Sequence, residues 1–415
     1  MLNPAETRPT LLLVTPQLPY PPQQGTSLRN FNLVQGLSRL TRLTLLSLVE
    51  EGMTDPGPLA AWCEEIVTLP APQRSRAQRW RQLLLTRQAD MAQRLYTPAL
   101  ATALRALLQR RHFDIIQLEG IELARLIADA RAAAPTSRIV FDNHNAETAL
   151  QQRVLATDRR HPTRWPAAAY SWVQVGRLRR LETWACRQAD AVTLVSEADR
   201  QNIARLLGEI SRPLTVIPNC IDVLTAPAAA APDFRYDLVF TGKMDFRPNV
   251  DAVLWFAQTI WPRIRQARPH TTWAIVGQKP HARLAGLSTW PGVTVTDRVP
   301  DTRPYLAGAQ VIILPLRMGS GTRLKLIEAM AAGKALVSTT VGAEGYPARS
   351  GEHLCLADEP AVFAATVLRL LADSAERERL GQAARQFAQQ YDWRVVVPAF
   401  GAVYQQLLQR RQPPP

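Results

Sequence analysis

Residues 311–346 read VIILPLRMGSGTRLKLIEAMAAGKALVSTTVGAEGY, and this stretch decides the fold. VIILPL is a short apolar run rich in β-branched residues, the pattern of a core strand. MGSGT interrupts it with Gly319 and Gly321 around Ser320. RLKLIEAMAA is built from strong helix formers. Gly333 stands where a helix stops, and ALVSTT resumes as a strand. The first N–H groups of such a helix have no intrahelical partner, and its dipole favours an anion there. Arg323 and Lys325 add positive charge beside the loop, and Glu328 follows further into the helix. The segment therefore reads as a phosphate site.

Lysine usage supports this. The chain has four lysines, Lys243, Lys279, Lys325 and Lys334, against 45 arginines. Two of the four fall in segments assigned here to phosphate binding. The bland alternative is a solvated helix face. The loop lacks the GKS/T of a P-loop, and no GxGxxG fingerprint occurs.

A length of 415 residues allows two domains with real cores. Hydrophobic content of 47% and charged content of 20% are those of a globular protein. Cys63, Cys186, Cys220 and Cys355 are scattered without metal-ligand spacing, which points to a reducing compartment. The opening MLNPAETRPTLLLVTP reads as a strand and not as a signal peptide. No run of apolar residues is long enough for a transmembrane helix.

The formal net charge is +14. In the first half the excess gathers in two segments. Residues 74–94 hold six Arg and one Asp, and residues 153–187 hold eight Arg and two acids. The first mixes Arg with Trp80, Leu83, Leu84 and Leu85, with Tyr96 nearby, the composition of a helix that can rest on an anionic membrane. A solvated arginine-rich helix is the equal alternative. No helix-turn-helix, zinc or RNP pattern supports nucleic acid as a partner.

Strands and helices alternate along the chain. LLLVTP (11–16), LTLLSLV (43–49), EIVTLP (65–70), FDIIQLEG (113–120), RIVFDNHN (138–145), DAVTLVS (190–196) and LTVIPN (214–219) read as strands. A long helical stretch covers 165–188, and Ser196 is a good N-cap for the helix after it. LTAPAAAAPD (224–233) reads as a linker. The alternation then restarts with YDLVFTG, a helix over 249–268, TTWAIVG, VTVTDRV and the opening segment. The expectation is α/β: two doubly wound, Rossmann-like domains facing a central cleft, residues 1–212 and 213–395.

With TPQLPYPPQQGTSLR, FDNHNAE, LVSEAD, VIPNCID, FTGKMDFRPNVDA and PDTRPYLAGAQVIILPLRMGSGTRLKLIEAMAAGKALVSTTVGAEG in hand, the chain resembles a retaining glycosyltransferase of family 4, with the GT-B fold. The match runs over essentially the whole length. The resemblance implies transfer of a sugar from a nucleotide-sugar with retention at the anomeric carbon. It implies donor binding by the C-terminal domain, acceptor binding by the N-terminal one, and no metal cofactor. No Asp-x-Asp pair occurs that would hold a metal-diphosphate. It also implies that the final helix, within 396–411, crosses back to the first domain.

The family's residue roles transfer as follows. A departing nucleoside diphosphate gains negative charge, so cations and N–H groups carry most of the catalysis. Lys243, after Gly242, stands where the family has a cation on the diphosphate, and Arg247 is placed to join it. Arg323 and Lys325 approach from the glycine loop, Gly319, Ser320, Gly321 and Thr322. Glu328 matches the second Glu of Glu-x7-Glu, which holds the donor ribose. The first Glu is replaced by Ser320, so backbone N–H groups of the loop are expected to meet the sugar. Gly25 permits close approach to donor phosphates or acceptor. Histidines matching His144 contact the transferred sugar. Arg29 is either an anion contact or an exposed helix cation. Asp142 either orients His144 or lies in the core, and Glu147 either meets the acceptor or caps a helix.

The leading expectation is a glycosyltransferase acting on a glycan or lipid-linked acceptor of the cell surface. It would be cytoplasmic, or peripheral on the cytoplasmic face of the inner membrane. The alternatives are an inactive glycan-binding or scaffold protein of the same fold, and a nucleotide-sugar epimerase. An epimerase needs paired carboxylates at the anomeric carbon, and the C-terminal motifs offer no good pair.

Overall fold

A computed structural model describes residues 8–22, 25–50, 52, 55–159, 162–208, 212–224, 234–318 and 321–409. The chain forms two compact units. One runs to Asn219 and resumes at Val396; the other is Cys220–Val395.

The first unit is built on a parallel sheet of seven strands. These are β1 (Thr10–Thr15), β2 (Arg42–Val49), β3 (Glu65–Pro70), β4 (Ile115–Glu119), β5 (Arg138–Asn143), β6 (Ala191–Leu194) and β7 (Leu214–Val216), in the order β3-β2-β1-β4-β5-β6-β7. β1, β2 and β4 are almost continuously buried because helices cover both faces. Their sequences accordingly run apolar without alternation. The sequence places the join between domains at 212/213, but β7 pairs with β6 (Val192↔Leu214), so the first unit extends to Asn219. A strand adds at the sheet that offers it an unpaired edge, and the sequence of β7 does not say which sheet that is.

The second unit carries six parallel strands. These are β8 (Tyr236–Thr241), β9 (Trp273–Val276), β10 (Val293–Val295), β11 (Ala309–Leu314), β12 (Ala335–Ser338) and β13 (Cys355–Leu356), in the order β10-β9-β8-β11-β12-β13. Within 311–346, strand β11, the helix Leu324–Ala331 and strand β12 form as read, while Gly319 and Ser320 lie outside the described residues. Gly333 ends that helix at φ +69°, a left-handed conformation that glycine adopts without steric cost. The helix expected over 249–268 is α-helical over Arg247–Trp255 and Trp261–Ala267 but widens to a π-helix over Phe256–Ile260. Pro262 brings no N–H to the carbonyl of Gln258, and a π turn is how a helix absorbs such a gap. Most of the linker at 224–233 lies outside the described residues.

In both sheets the chain reverses winding direction beside the first strand. The switch falls between β1 and β4 in one unit and between β8 and β11 in the other. Ligands of open α/β sheets bind at such points, beyond the carboxyl ends of the strands. Among the described residues no helix is long and apolar enough to cross a membrane.

Candidate functional site

In the second unit, Gly242 and Lys243 follow β8, and the glycine loop follows β11, its neighbour. Lys325, in the first turn of the helix after the loop, reaches back to β8. Its Nζ donates to the Thr241 carbonyl at 3.2 Å and to Asn249 Oδ1 at 2.7 Å. It also lies 4.9 Å from the Phe240 ring centre. Asn249 Nδ2 donates in turn to the Lys243 carbonyl at 2.8 Å. A Cβ on Gly242 would stand 2.8 Å from Lys325 Nζ and 2.7 Å from Asn249 Nδ2. Only glycine leaves this amine and amide room beneath the β8 loop. Burial pushes the Lys325 ammonium down to about 7, with Arg323 adding to the shift and Glu328 opposing it.

Glu328 lies one helical turn from Lys325 on the same face. Burial pushes its carboxyl up, Lys325 pulls it down, Asp301 raises it and Arg303 lowers it. Asp301 and Arg303 form an ion pair at 2.7 Å. Neither stands among the sequence-based candidates, because nothing local in PDTRPY links them to Glu328. Lys243 is partly exposed, with Nζ 3.7 Å from Asp245 Oδ2. Arg247 opens its helix exposed to solvent. Arg323 occupies the N-cap position of the 324–331 helix. Gly319 and Ser320 lie outside the described residues. Gly321 has φ +77°. A Cβ on Gly345 would stand 2.7 Å from Thr322 Cα, so Gly345 seats the end of the loop. Gly277, at the end of β9, is another position that sequence reading missed. A Cβ there would stand 1.7 Å from the Gly242 carbonyl oxygen. The signal was available, since TTWAIVG ends its strand in glycine as YDLVFTG does.

The first unit holds a polar cluster at the ends of β4 and β5. Arg29, from the helix Gly25–Leu40, is 2% exposed. Its Nη2 donates to Asp142 Oδ2 at 2.5 Å and its Nη1 to Asn219 Oδ1 at 2.7 Å. The exposed-cation alternative is thereby removed. Asp142 lies in the core, also accepting from Thr193 Oγ1 at 2.6 Å. Burial pushes its carboxyl up, but Arg29, His144 and Thr193 together hold it below the ordinary carboxylate range.

His144 is oriented mainly by Glu119, a residue absent from the sequence-based candidates. Its Nε2 lies 2.9 Å from Glu119 Oε2 and 3.7 Å from Asp142 Oδ2. That contact occupies Nε2 and leaves Nδ1 as the ring's other hydrogen-bonding nitrogen. Burial and Asp142 push the Glu119 carboxyl up, with His144 and Arg29 opposing them. Gln117 Nε2 donates to Glu119 Oε1 at 2.6 Å, and Tyr404 Oη donates to Gln117 Oε1 at 2.5 Å. Glu119, Asp142 and His144 lie close enough together to hold a metal ion. The Arg29 guanidinium already supplies positive charge among these carboxylates, so the donor set fits an arginine.

Beside this cluster lies a cavity of about 420 Å³ at the switch point of the first sheet, lined by Pro16, Gly120, Glu122, His144, Asn145 and Glu147 among others. Gly120 has φ +89°, and a Cβ there would stand 3.1 Å from Glu122 Oε2 and 3.5 Å from His144 Nδ1. Thr26 belongs to the lining, and Gly25 does not. Glu147 begins the helix Glu147–Arg159 but does not cap it. Glu182 does, accepting from the N–H groups of Glu147 at 2.9 Å and Thr148 at 3.1 Å. Burial, Glu122 and other nearby acids push the Glu147 carboxyl up to about 8, against the Asn145 amide. Glu147 and Glu122 both line this cavity, and burial favours the protonated, hydrogen-bond-donating form of Glu147. Sugar hydroxyls, which both donate and accept, match such a lining.

Residues 63–223 match the model described as Glycosyltransferase Family 4, and residues 235–373 match Glycosyl transferases group 1. Glycogen synthase of Mycobacterium tuberculosis is 27% identical over 266 residues, 60% of this chain and 61% of that protein. Phosphatidyl-myo-inositol mannosyltransferase of the same organism is 30% identical over 203 residues, 46% of this chain and 53% of that one. The chain thus spans less than two thirds of these curated relatives. The crystal structure of Anabaena Alr3699/HepE with UDP and glucose superposes with a TM-score of 0.65 at 13% identity, over 96% of this chain and 100% of that one. This likeness shows the shared GT-B fold. The chain belongs to the glycosyltransferases of family 4, with a group 1 domain as its second half.

Proposed function

We propose that the chain transfers a hexosyl group from a nucleotide-sugar to a glycan or lipid-linked acceptor, with retention, in the synthesis of a cell-surface polysaccharide or glycolipid. One observation carries the reading. The Lys325 amine, Asn249 and Gly242 meet at the switch point of the second sheet. A diphosphate laid over Gly242 would meet the Lys325 amine, with Lys243 next along the chain. Arg323, Lys325 and Lys243 stabilise the charge that gathers on the leaving group. Glu328 accepts from the ribose hydroxyls. The bond from the anomeric carbon to the diphosphate breaks as the acceptor oxygen bonds on the same face, and the acceptor's proton passes to the departing phosphate. In this reading no metal is needed. The first unit takes the acceptor, with His144 Nδ1 and Glu147 as its hydrogen-bonding groups. The arginine-rich segments 74–94 and 153–187 draw the protein to an anionic membrane face, and no nucleic acid is involved.

The test is a thermal-shift screen of nucleotide-sugars beginning with UDP-glucose, since the Anabaena neighbour was crystallised with UDP. It is followed by transfer assays. Arg323→Ala and Lys325→Ala should each slow transfer on the order of 10²-fold, as loss of a preorganised charge does. Transfer should persist in EDTA. Wild-type rates in both variants would remove these residues from the phosphate site. Loss of activity in EDTA, with rescue by magnesium or manganese, would show a metal requirement.

A further inference from the structure

A second cavity, of about 460 Å³, lies in the first unit between the helices Arg76–Leu85, Asp90–Arg94 and Trp165–Gln188. Its lining includes Trp80, Leu83, Pro166, Ala167 and Tyr170, with Arg79, Gln174 and Arg177 among the polar side chains. The positions 166, 170, 174 and 177 recur at helical spacing, so they form one stripe of the long helix.

The 76–85 helix is unusual in how it is held. None of its described side chains is buried. Trp80, Leu84 and Leu85 are 64%, 77% and 76% exposed. A helix of ten residues is marginal in water without a packed face. Polar ties hold this one. Ser75 and Gln78 form a capping box. Arg177 Nη2 donates to the Leu83 carbonyl at 2.8 Å, and Arg74 pairs with Asp90 at 3.1 Å. Apolar residues kept this exposed mark a surface meant for an apolar partner.

Gln174 indicates what that partner carries. It is 3% exposed. Its Oε1 accepts from the Asp90 N–H at 2.9 Å, which fixes the orientation of the amide. Its Nε2 is buried with no hydrogen-bond partner among the described residues. A buried amide donor left unpaired is costly, so the site favours an oxygen acceptor. Arg79 adds a charge complementary to an anion.

We propose that this cavity binds one acyl chain of an anionic membrane phospholipid. The chain lies along Trp80, Leu83, Pro166 and Ala167. An ester carbonyl oxygen accepts from Gln174 Nε2, and the phosphate faces Arg79. The proposal rests on the membrane reading above and narrows it from a charged surface to a lipid site.

The test uses the whole protein and two probes. Phosphatidylglycerol vesicles test the membrane: the protein should sediment with them at low salt and release as salt rises. Dihexanoyl-phosphatidylglycerol below its micelle concentration tests the cavity. Calorimetry should show saturable one-to-one binding, weaker for the phosphatidylcholine analogue. Ala167→Trp, at an exposed position that tolerates bulk, should fill the cavity and abolish monomer binding while the melting temperature stays at the wild-type value. Gln174→Leu should weaken monomer binding about tenfold, the loss expected of one hydrogen bond. Vesicle binding without monomer binding, or monomer binding that Ala167→Trp leaves unchanged, would overturn the cavity and leave the membrane reading intact. Failure to sediment at low salt would overturn both.

Discussion

Lys325 sits near its midpoint at neutral pH. Its ammonium is pushed from the ordinary 10.5 to about 7, first by burial. Between those two values the unfolded chain holds a proton that the folded protein has released. Stability therefore rises with pH across the window, and the cost of the charged amine is fully present below about 7. A bound diphosphate reverses the preference, because it favours the charged amine. Above pH 7 binding must then take up a proton, and affinity falls as pH rises, by at most about tenfold per unit. Calorimetry with a nucleoside diphosphate at pH 7.5 and 9 should show this weakening. Lys325→Met should bind more weakly at both pH values, with a flatter profile. A wild-type profile as flat as the variant's would mean that the amine does not meet the phosphates.

At the scale of elements, the returning helix Pro398–Gln409 packs against the helix Gly25–Leu40 within the first unit. The approach is set by glycine. A Cβ on Gly36 would stand 2.8 Å from both Cγ atoms of Val397, and one on Gly401 would stand 3.4 Å from Leu40 Cδ1. β-Branched side chains have little rotamer freedom to yield. Gly36→Val should therefore destabilise the first unit by about 1–3 kcal/mol, the usual cost of overpacking. Urea denaturation measures it. The same helix carries Tyr404, buried and bonded to Gln117. Loosening the contact should thus also disturb the chain from Gln117 through Glu119 to His144. If Gly36→Val matches wild-type stability, the helices do not meet as closely as described.

At the scale of the molecule, each unit has its own parallel sheet and its own topological switch point. A nucleotide that binds the second unit alone should leave a matching footprint. A ligand at about 100 times its dissociation constant adds about 2.7 kcal/mol to stability. Hydrogen exchange with saturating nucleoside diphosphate should therefore slow over 241–247 and 321–328. Exchange over 76–94 should stay as it was. Protection confined to the first unit would move the donor site there.

The sequence by itself determined the two α/β halves, most strands and helices, and the strands and helix within 311–338. These are local signals: continuous apolar runs, helix formers, caps and glycines act over a few residues. It also put forward Gly242, Lys325, Glu328 and His144 as candidates. The tertiary structure alone decided which groups meet. Arg29 is carried into the core by Asp142 and Asn219, far along the chain, where the sequence left open a solvent-exposed cation. His144 takes Glu119 as its main partner because β4 and β5 lie side by side. Lys325 turns under Gly242 because β8 and β11 are neighbours. Gln174 turns its Oε1 to the Asp90 N–H, far away in the chain, and among the described residues its Nε2 finds no hydrogen-bond partner. Burial and pairing are set by sheet order and helix packing, which join residues distant in the chain. No local pattern encodes them.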